Sequence, residues 1–413
     1  MILINYRGFG IEASIFLYLE GDQSHESFDH RAWLGHDRIF PAMIYFDHAA
    51  NTKPRKEVLD AFLEAEEQYE GNTNSLHPEG RKAEAYYETL NAQVLSLLGL
   101  DSSVYEVVYT SSATESNNLA IKGLYESYSG YGNRMLSSEF EHSSTNGALA
   151  YLKDKGADVR LVNTKEDGTF DEEDLKEKLT PSCLLFALSA VEGELGTIQD
   201  IQKAQTIVNA SENGHLLVDD TQAIGKIPLD LRGIDMISFA PHKFGGIIGT
   251  GALVKKKDII LTPLLHGGKS ASLYRSGTVA LGLIASLEKA LELALAEEQD
   301  NFLKVRAIHD FLWDALNKDS HVLLNSAPDN PYFLNLSILG KNGGDSVAYF
   351  AKHDICISQK SACSPSASPS KSVMAKYHNK PRALSSFRLS FGPENTIAEA
   401  QCFLSYLEEW EHE

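Results

Sequence analysis

HLLVDDTQAIGKIPLDLRGIDMISFAPHK, residues His215 to Lys243, decides the fold. A short apolar run, Leu216 to Val218, stops on Asp219, and a second stretch, Asp235 to Ala240, runs into Pro241, His242 and Lys243. Each reads as a buried strand, and each ends on groups that are costly to bury unpaired. In open α/β sheets ligands bind at the carboxyl ends of the strands, so an acid ending one strand and a lysine just past another can share a crevice. That pairing suits pyridoxal 5'-phosphate, which takes an acidic partner at its pyridine nitrogen and a Schiff-base lysine at its aldehyde. On these residues alone the plainer reading stands first: two ordinary strand ends, a solvated acid and a surface lysine.

Outward from this stretch the chain alternates strands and helices, which argues for a parallel α/β sheet. Upstream, MIYFDHAANTKP gives a short strand ending on Asp47 and His48, with helical spacing over Lys56 to Tyr69 and Arg81 to Leu98. VYEVVYT is a further strand, and Thr110, Ser111, Ser112 and Thr114 crowd its junction with the helix SSATESNNLAIKGL. The free N–H groups and dipole of a helix start make such a junction a phosphate cup, and plain N-capping accounts for the same residues. Arg134 to Ser137 leads into Glu141-His142-Ser143-Ser144, where a lone histidine matters only if other groups converge on it. Asp158 to Val162 and Leu184 to Ser189 are further strands, the second running into AVEGELG, where Glu192 and Glu194 are either solvated loop acids or site carboxylates. Downstream come a glycine-rich turn and strand, FGGIIGTGALVKKK, a polar loop through Thr278, and a long helix that bridges to a smaller C-terminal lobe. Within that lobe SSFRLSFG places Arg388 in a strand, where an arginine among apolar neighbours wants a carboxylate.

With 413 residues and 43% hydrophobic content the chain buries a sizeable core in two or three lobes. A formal net charge of -20 argues against a dominant electrostatic affinity for nucleic acid or an anionic membrane. No apolar run approaches membrane-spanning length. Ile11 to Leu19 faintly resembles a signal segment, but Glu12 interrupts it and no cleavage site follows, so residues 1–42 read as an extension of uncertain order. Four cysteines, Cys183, Cys356, Cys363 and Cys402, are too scattered for a disulfide framework and fit a reducing, cytoplasmic setting. Cys183 and Cys356 sit in apolar strands and Cys402 on a terminal helix, the usual places of inert thiols. Cys363 lies in SQKSACSPSASPSKS, which has no large apolar group to bury it, so a reactive, exposed thiol on a mobile loop is expected there.

Taken together, IYFDHAANT, TSSATESNNLAIKG, EFEHSS, VDDTQAIGKIPLDL, SFAPHKFGG, YRSGT, KSACS and SFRLSFG stand in the order seen in group I cysteine desulfurases, a branch of the class V aminotransferases with fold type I. The resemblance runs from Met43 to about Trp410. It implies a large, mainly parallel sheet domain over residues 43–295 that binds pyridoxal 5'-phosphate, and a smaller α+β domain over residues 296–413 that carries Cys363. The first residues of the match are also candidates to pack on the small domain. By the same resemblance Lys243 is the Schiff-base lysine, Asp219 partners the pyridine nitrogen and Gln222 the ring oxygen. His142 stacks on the ring and shares in proton transfer, while Ala113, Thr114 and His242 contact the cofactor's phosphate end. Thr278 reaches the phosphate of the other subunit in a homodimer, Arg388 takes the substrate carboxylate, and Cys363 is the nucleophile that receives sulfur from L-cysteine and passes it to an acceptor or scaffold protein.

Some positions depart from that pattern. Glu192 stands where the family has an asparagine that contacts the ring oxygen and the substrate carboxylate, and an ionised Glu192 would repel both, so it is expected protonated, turned away or a cause of weak activity. Ala240 replaces a phosphate-binding serine; Asn51 and Lys360 are milder changes. A selenocysteine lyase, another aminotransferase-like enzyme and a weakened paralogue kept as a binding subunit therefore remain as alternatives.

Overall fold

The run CLLFALS, Cys183 to Ser189, is buried at every position, as a strand covered on both faces must be. It lies within the main sheet of a computed structural model that describes residues 2–8, 11–17, 43–268, 271–360 and 368–412. Met1–Ala42 form one unit, in which β1 (Ile2–Gly8) and β2 (Ile11–Leu17) pair antiparallel with Ile2 opposite Leu17. The rest of that extension lies outside the described residues. Met43–Glu413 form the second unit, which opens with β3 (Ile44–Tyr45).

Among the described residues its main sheet has seven strands: β4 (Tyr105–Thr110), β5 (Arg134–Ser138), β6 (Asp158–Val162), β7 (Cys183–Ser189), β8 (His215–Asp219), β9 (Met236–Phe239) and β10 (Gly251–Lys256). Their spatial order is β4-β10-β9-β8-β7-β5-β6. From β9 to β6 all neighbours are parallel, and only β10 runs antiparallel, to β9 and to β4. The mainly parallel sheet expected from the alternation is thus present, with one reversed strand entered through the glycine-rich turn. Parallel neighbours point their carboxyl ends to one edge, so Ser189, Asp219 and Ser238 fall side by side in register.

A three-stranded antiparallel sheet, β11 (Val322–Leu324), β12 (Phe333–Ile338) and β14 (Ser386–Ser390), follows, while β13 (Ile355–Cys356) pairs with β3. The β3 segment thereby reaches the C-terminal part of the chain, and one apolar cluster runs from Ile44 through Phe186 and Leu287 to Leu407. The single bridging helix expected after Thr278 is two, Leu281–Ala296 and Glu298–Leu316, broken at Glu297. Glu297 is tied there by Arg55, whose Nη1 lies 2.7 Å from its carboxylate. Among the described residues no helix is long and apolar enough to cross a membrane.

Candidate active site

Asp219 ends β8, and Lys243 closes the short turn Pro241–Lys243 just past β9. Both line one cavity of about 370 Å³, together with Ala113, Thr114, His142, Glu192, Gln222, His242 and Arg388. Sequence positions from 113 to 388 therefore meet at the carboxyl edge of the sheet. Thr278 is exposed and does not line this cavity, and Cys363 lies outside the described residues. Ala240 is fully buried and also absent from the lining.

The acid is held in a fixed pose. Asp219 Oδ1 accepts the Thr221 amide at 3.1 Å, and Oδ2 accepts Asn117 Nδ2 at 2.8 Å. Asn117 is oriented by the Ser238 hydroxyl, which donates to its Oδ1 at 2.5 Å, and its Nδ2 also donates to Ser144 Oγ at 2.9 Å. Ser144 Oγ lies 2.8 Å from His142 Nδ1, which also accepts the Ser144 amide at 3.2 Å. A ring nitrogen that accepts an amide has no proton of its own, so neutral His142 carries its proton on Nε2. One chain of polar contacts thus runs from the carboxylate to the imidazole. Behind it Glu141 is buried and accepts from the hydroxyls of Ser138 and Ser189 at 2.5 and 2.7 Å. Burial pushes its carboxyl up to about 7.

The basic side is crowded. Lys243 Nζ donates to the carbonyls of Ala49 and Ala50 at 2.8 and 2.6 Å. Gln222 Nε2 donates to the same Ala49 carbonyl at 2.9 Å, and its Oε1 accepts Lys226 Nζ at 3.0 Å. Burial, then Lys243 and Arg388, push the Lys226 amine down to about 7. His242 is pushed down to about 4 by burial and by the same two lysines.

At the other end of the cavity the helix Ala113–Tyr128 begins. Ser112 caps it by accepting the Glu115 amide at 3.2 Å, while Glu115 accepts the Ser111 amide and Arg275 Nε. Ala113 and Thr114 occupy its first turn, where N–H groups have no helical partner and the dipole favours an anion. The helix start is therefore both capped and available to a phosphate, so the two sequence readings are compatible.

Glu192 resolves into a loop brace. Its Oε1 accepts the Glu194 amide at 3.0 Å and the Ser372 hydroxyl at 2.8 Å, and its Oε2 accepts the Leu195 amide at 2.5 Å. Burial and then Glu194 raise its pKa. It touches the cavity, but both oxygens are committed to its own loop and to Ser372. Arg388, 2% exposed, donates through Nη2 to Asp47 Oδ1 at 2.9 Å and through Nη1 to the Gly193 carbonyl at 2.5 Å. The thiols expected to be inert sit as follows: Cys183 is fully buried and pushed up to about 12, and Cys356 and Cys402 are half-buried.

Sequence reasoning missed Asn117, Ser144 and Lys226, which contact Asp219, His142 and Gln222, and the buried Glu141, which is held by Ser138 and Ser189. All four lie inside blocks that carry the family resemblance, TSSATESNNLAIKG, EFEHSS and VDDTQAIGKIPLDL, but the resemblance gives none of them a task; Asn117 and Ser144 follow a strand–helix junction by a few residues.

An aligned acid, an amine and a helix start, set around one cavity, match the pyridine nitrogen, aldehyde and phosphate of pyridoxal 5'-phosphate, so the donor set fits that group. Residues 44–403 match the aminotransferase class-V family model. A NifS/IcsS protein homolog from Lactobacillus delbrueckii is 34% identical over 374 residues, covering 89% of this chain and 97% of the relative. A cysteine desulfurase IscS from Buchnera aphidicola is 34% identical over 366 residues, covering 86% and 89%. A solved NifS-like protein superimposes with a TM-score of 0.82 at 27% identity, over 89% of this chain and 98% of that one. The matched span takes in every strand of the main sheet and every described residue that lines the cavity, and the chain belongs to the aminotransferase class-V family of pyridoxal phosphate enzymes.

Proposed function

We propose that the protein is a pyridoxal 5'-phosphate-dependent cysteine desulfurase that converts L-cysteine to L-alanine and leaves the sulfur as a persulfide on Cys363. The observation that carries this reading is the convergence of Asp219, Gln222, His142 and Lys243 on one cavity in a chain whose relatives bear that name. Lys243 holds the cofactor aldehyde, Asp219 the pyridine nitrogen, and Gln222 the ring oxygen; Ala113, Thr114 and His242 serve the phosphate. When bound, the cofactor supplies an electron sink for the substrate's α-carbon. Asp219, aligned by Asn117 and Thr221, keeps a negative charge at the pyridine nitrogen, and Lys243 or His142 takes the α-proton. Arg388 receives the substrate carboxylate. The Cys363 thiolate attacks the substrate sulfur, so the carbon–sulfur bond breaks as a sulfur–sulfur bond forms, and protonation of the carbon skeleton yields alanine.

Thr278, exposed and away from its own cavity, is assigned to the phosphate of a second subunit in a homodimer. The persulfide then goes to a protein acceptor in the cytoplasm, for iron–sulfur clusters, tRNA thiolation or a related pathway. Purified protein loaded with the cofactor and given L-cysteine is expected to develop a yellow band and to release alanine. Cys363→Ala is expected to keep the band and lose alanine release in the presence of excess thiol acceptor. Alanine formation that survives Cys363→Ala unchanged would sink the persulfide step, and absence of the band in the unmodified protein would sink the cofactor assignment.

A further inference from the structure

Lys226 lies behind the cavity wall, 7% exposed, and its Nζ has Gln222 Oε1 as hydrogen-bond partner. Gln222 bonds at both ends of its amide: Oε1 receives Lys226 at 3.0 Å, and Nε2 donates to the Ala49 carbonyl at 2.9 Å, the carbonyl that also receives Lys243 at 2.8 Å. A glutamine amide can turn over at little cost unless its neighbours object. Here both neighbours object. A carbonyl only accepts, and the Lys226 amine only donates when it is charged, so a turned amide would set oxygen against oxygen at Ala49 and, with the ammonium form, N–H against N–H at Lys226. Lys226 makes this contact in a setting hostile to its charge, close to Lys243, Arg388 and His48.

We propose that Lys226 is a positioning residue that acts through Gln222, locking its amide so that the N–H, and not the carbonyl oxygen, faces the cofactor side of the cavity. The inference rests on the reading of Gln222 as the donor to the cofactor's ring oxygen. It has added weight in this chain, because Glu192 commits both carboxylate oxygens to Glu194, Leu195 and Ser372. Gln222 is then left to meet the ring oxygen without help from position 192, and a reversed amide would put two acceptors face to face.

The test is a double-mutant cycle in the full-length protein, with the dissociation constant of pyridoxal 5'-phosphate read by equilibrium dialysis and the pH titration of the yellow band as a second readout. Lys226→Met, similar in length and without a donor, is expected to weaken binding about tenfold. Lys226→Arg restores the donor and is expected to recover to within about twofold. In a Gln222→Ala background, Lys226→Met is expected to change binding by less than about twofold, since its target is gone. Equal losses in both backgrounds would overturn the proposal and leave Lys226 as a charge or a packing element. Failure of Lys226→Arg to recover any affinity while melting at the same temperature as the unmodified protein would also count against it. An unmodified protein that takes up no cofactor would instead overturn the functional reading, and this inference with it.

Discussion

Glu192→Asn restores the residue type of the family, and the geometry predicts that it costs stability in a pH-dependent way. Three donors point at the glutamate carboxyl: the Glu194 amide, the Leu195 amide and the Ser372 hydroxyl. Asparagine is one methylene shorter and keeps the Glu194 amide, two residues on, as an Asx turn does. The bonds to Leu195 and Ser372 are lost at a buried site, at about 1–1.5 kcal/mol each, so about 2–3 kcal/mol in all. A second effect runs the other way. Burial and Glu194 raise the Glu192 pKa in the fold above its ordinary 4.5. The native protein therefore holds an extra proton over that window, and its stability from this group is full below the ordinary pKa and drains away as pH rises through the raised one. Asparagine does not titrate, so the variant escapes that loss. Glu192→Asn is expected to be destabilised by about 2–3 kcal/mol near pH 5 and by much less near pH 8, where relief of a buried charge offsets the missing bonds. Urea denaturation of cofactor-free protein at the two pH values measures the difference. Equal destabilisation at both would show that the carboxyl is ionised throughout, and a variant more stable at both would show that the brace to Leu195 and Ser372 does not exist in solution.

Three further outcomes follow from the same geometry. Asn117→Ala removes one of the two groups that align Asp219 and breaks the link to Ser144 and His142, and it is expected to weaken cofactor binding about tenfold by dialysis, with the fold intact by circular dichroism. Glu141→Gln removes a buried carboxyl that sits at about 7 in place of 4.5, so the variant should lack the fall in stability between those values and be more stable above neutrality, by about 3 kcal/mol at most; a pH series of thermal melts that keeps its slope would refute the assignment. Gly251→Ala is expected to cost both stability and cofactor affinity, because a Cβ there would lie 2.5 Å from the Ser112 carbonyl carbon and 2.8 Å from the Ala113 amide nitrogen, pushing on the phosphate end of the cavity; unchanged dialysis and melting would show that β10 yields instead.

The strands were legible because burial on both faces writes itself as continuous apolar runs: CLLFALS is buried throughout, and HLLVD gives out on Asp219 where the sheet opens to the cavity. The reversed direction of β10 was not legible, since strand polarity in space leaves no mark on composition. The break at Glu297 escaped for a different reason. The stretch IASLEKALELALAEEQ favours helix on both sides of Glu297, and the partner of Glu297, Arg55, lies some 240 residues away in the chain. Groups with a direct task, Asp219 and Lys243 above all, stood at strand ends and drew notice there. The groups that orient them did not. Asn117 and Lys226 sit inside blocks that carry the resemblance, but their importance lies in which atom they face, which only the fold decides.

Arg388, proposed to receive the substrate carboxylate, is oriented in the same way. Its guanidinium has five N–H donors, of which Nη2 serves Asp47 and Nη1 serves the Gly193 carbonyl, while Nε is buried without a partner. Asp47 is in turn held by the Ser358 hydroxyl at 2.7 Å. On the proposal that Arg388 receives the substrate carboxylate, that group meets an arginine whose charge is already shared and whose plane is already fixed. Two consequences oppose each other: Asp47 reduces the net attraction for an anion, and it pre-pays the entropy of ordering a long side chain. For a small amino acid, which brings few other contacts, orientation matters more than raw attraction, because a misplaced α-carbon costs rate directly. Asp47→Asn separates the two, since it keeps an acceptor for Nη2 and removes the charge. The expected result is a lower KM for cysteine with kcat reduced, as binding tightens while the pose loosens; a variant with both constants unchanged would place the substrate carboxylate elsewhere in the cavity.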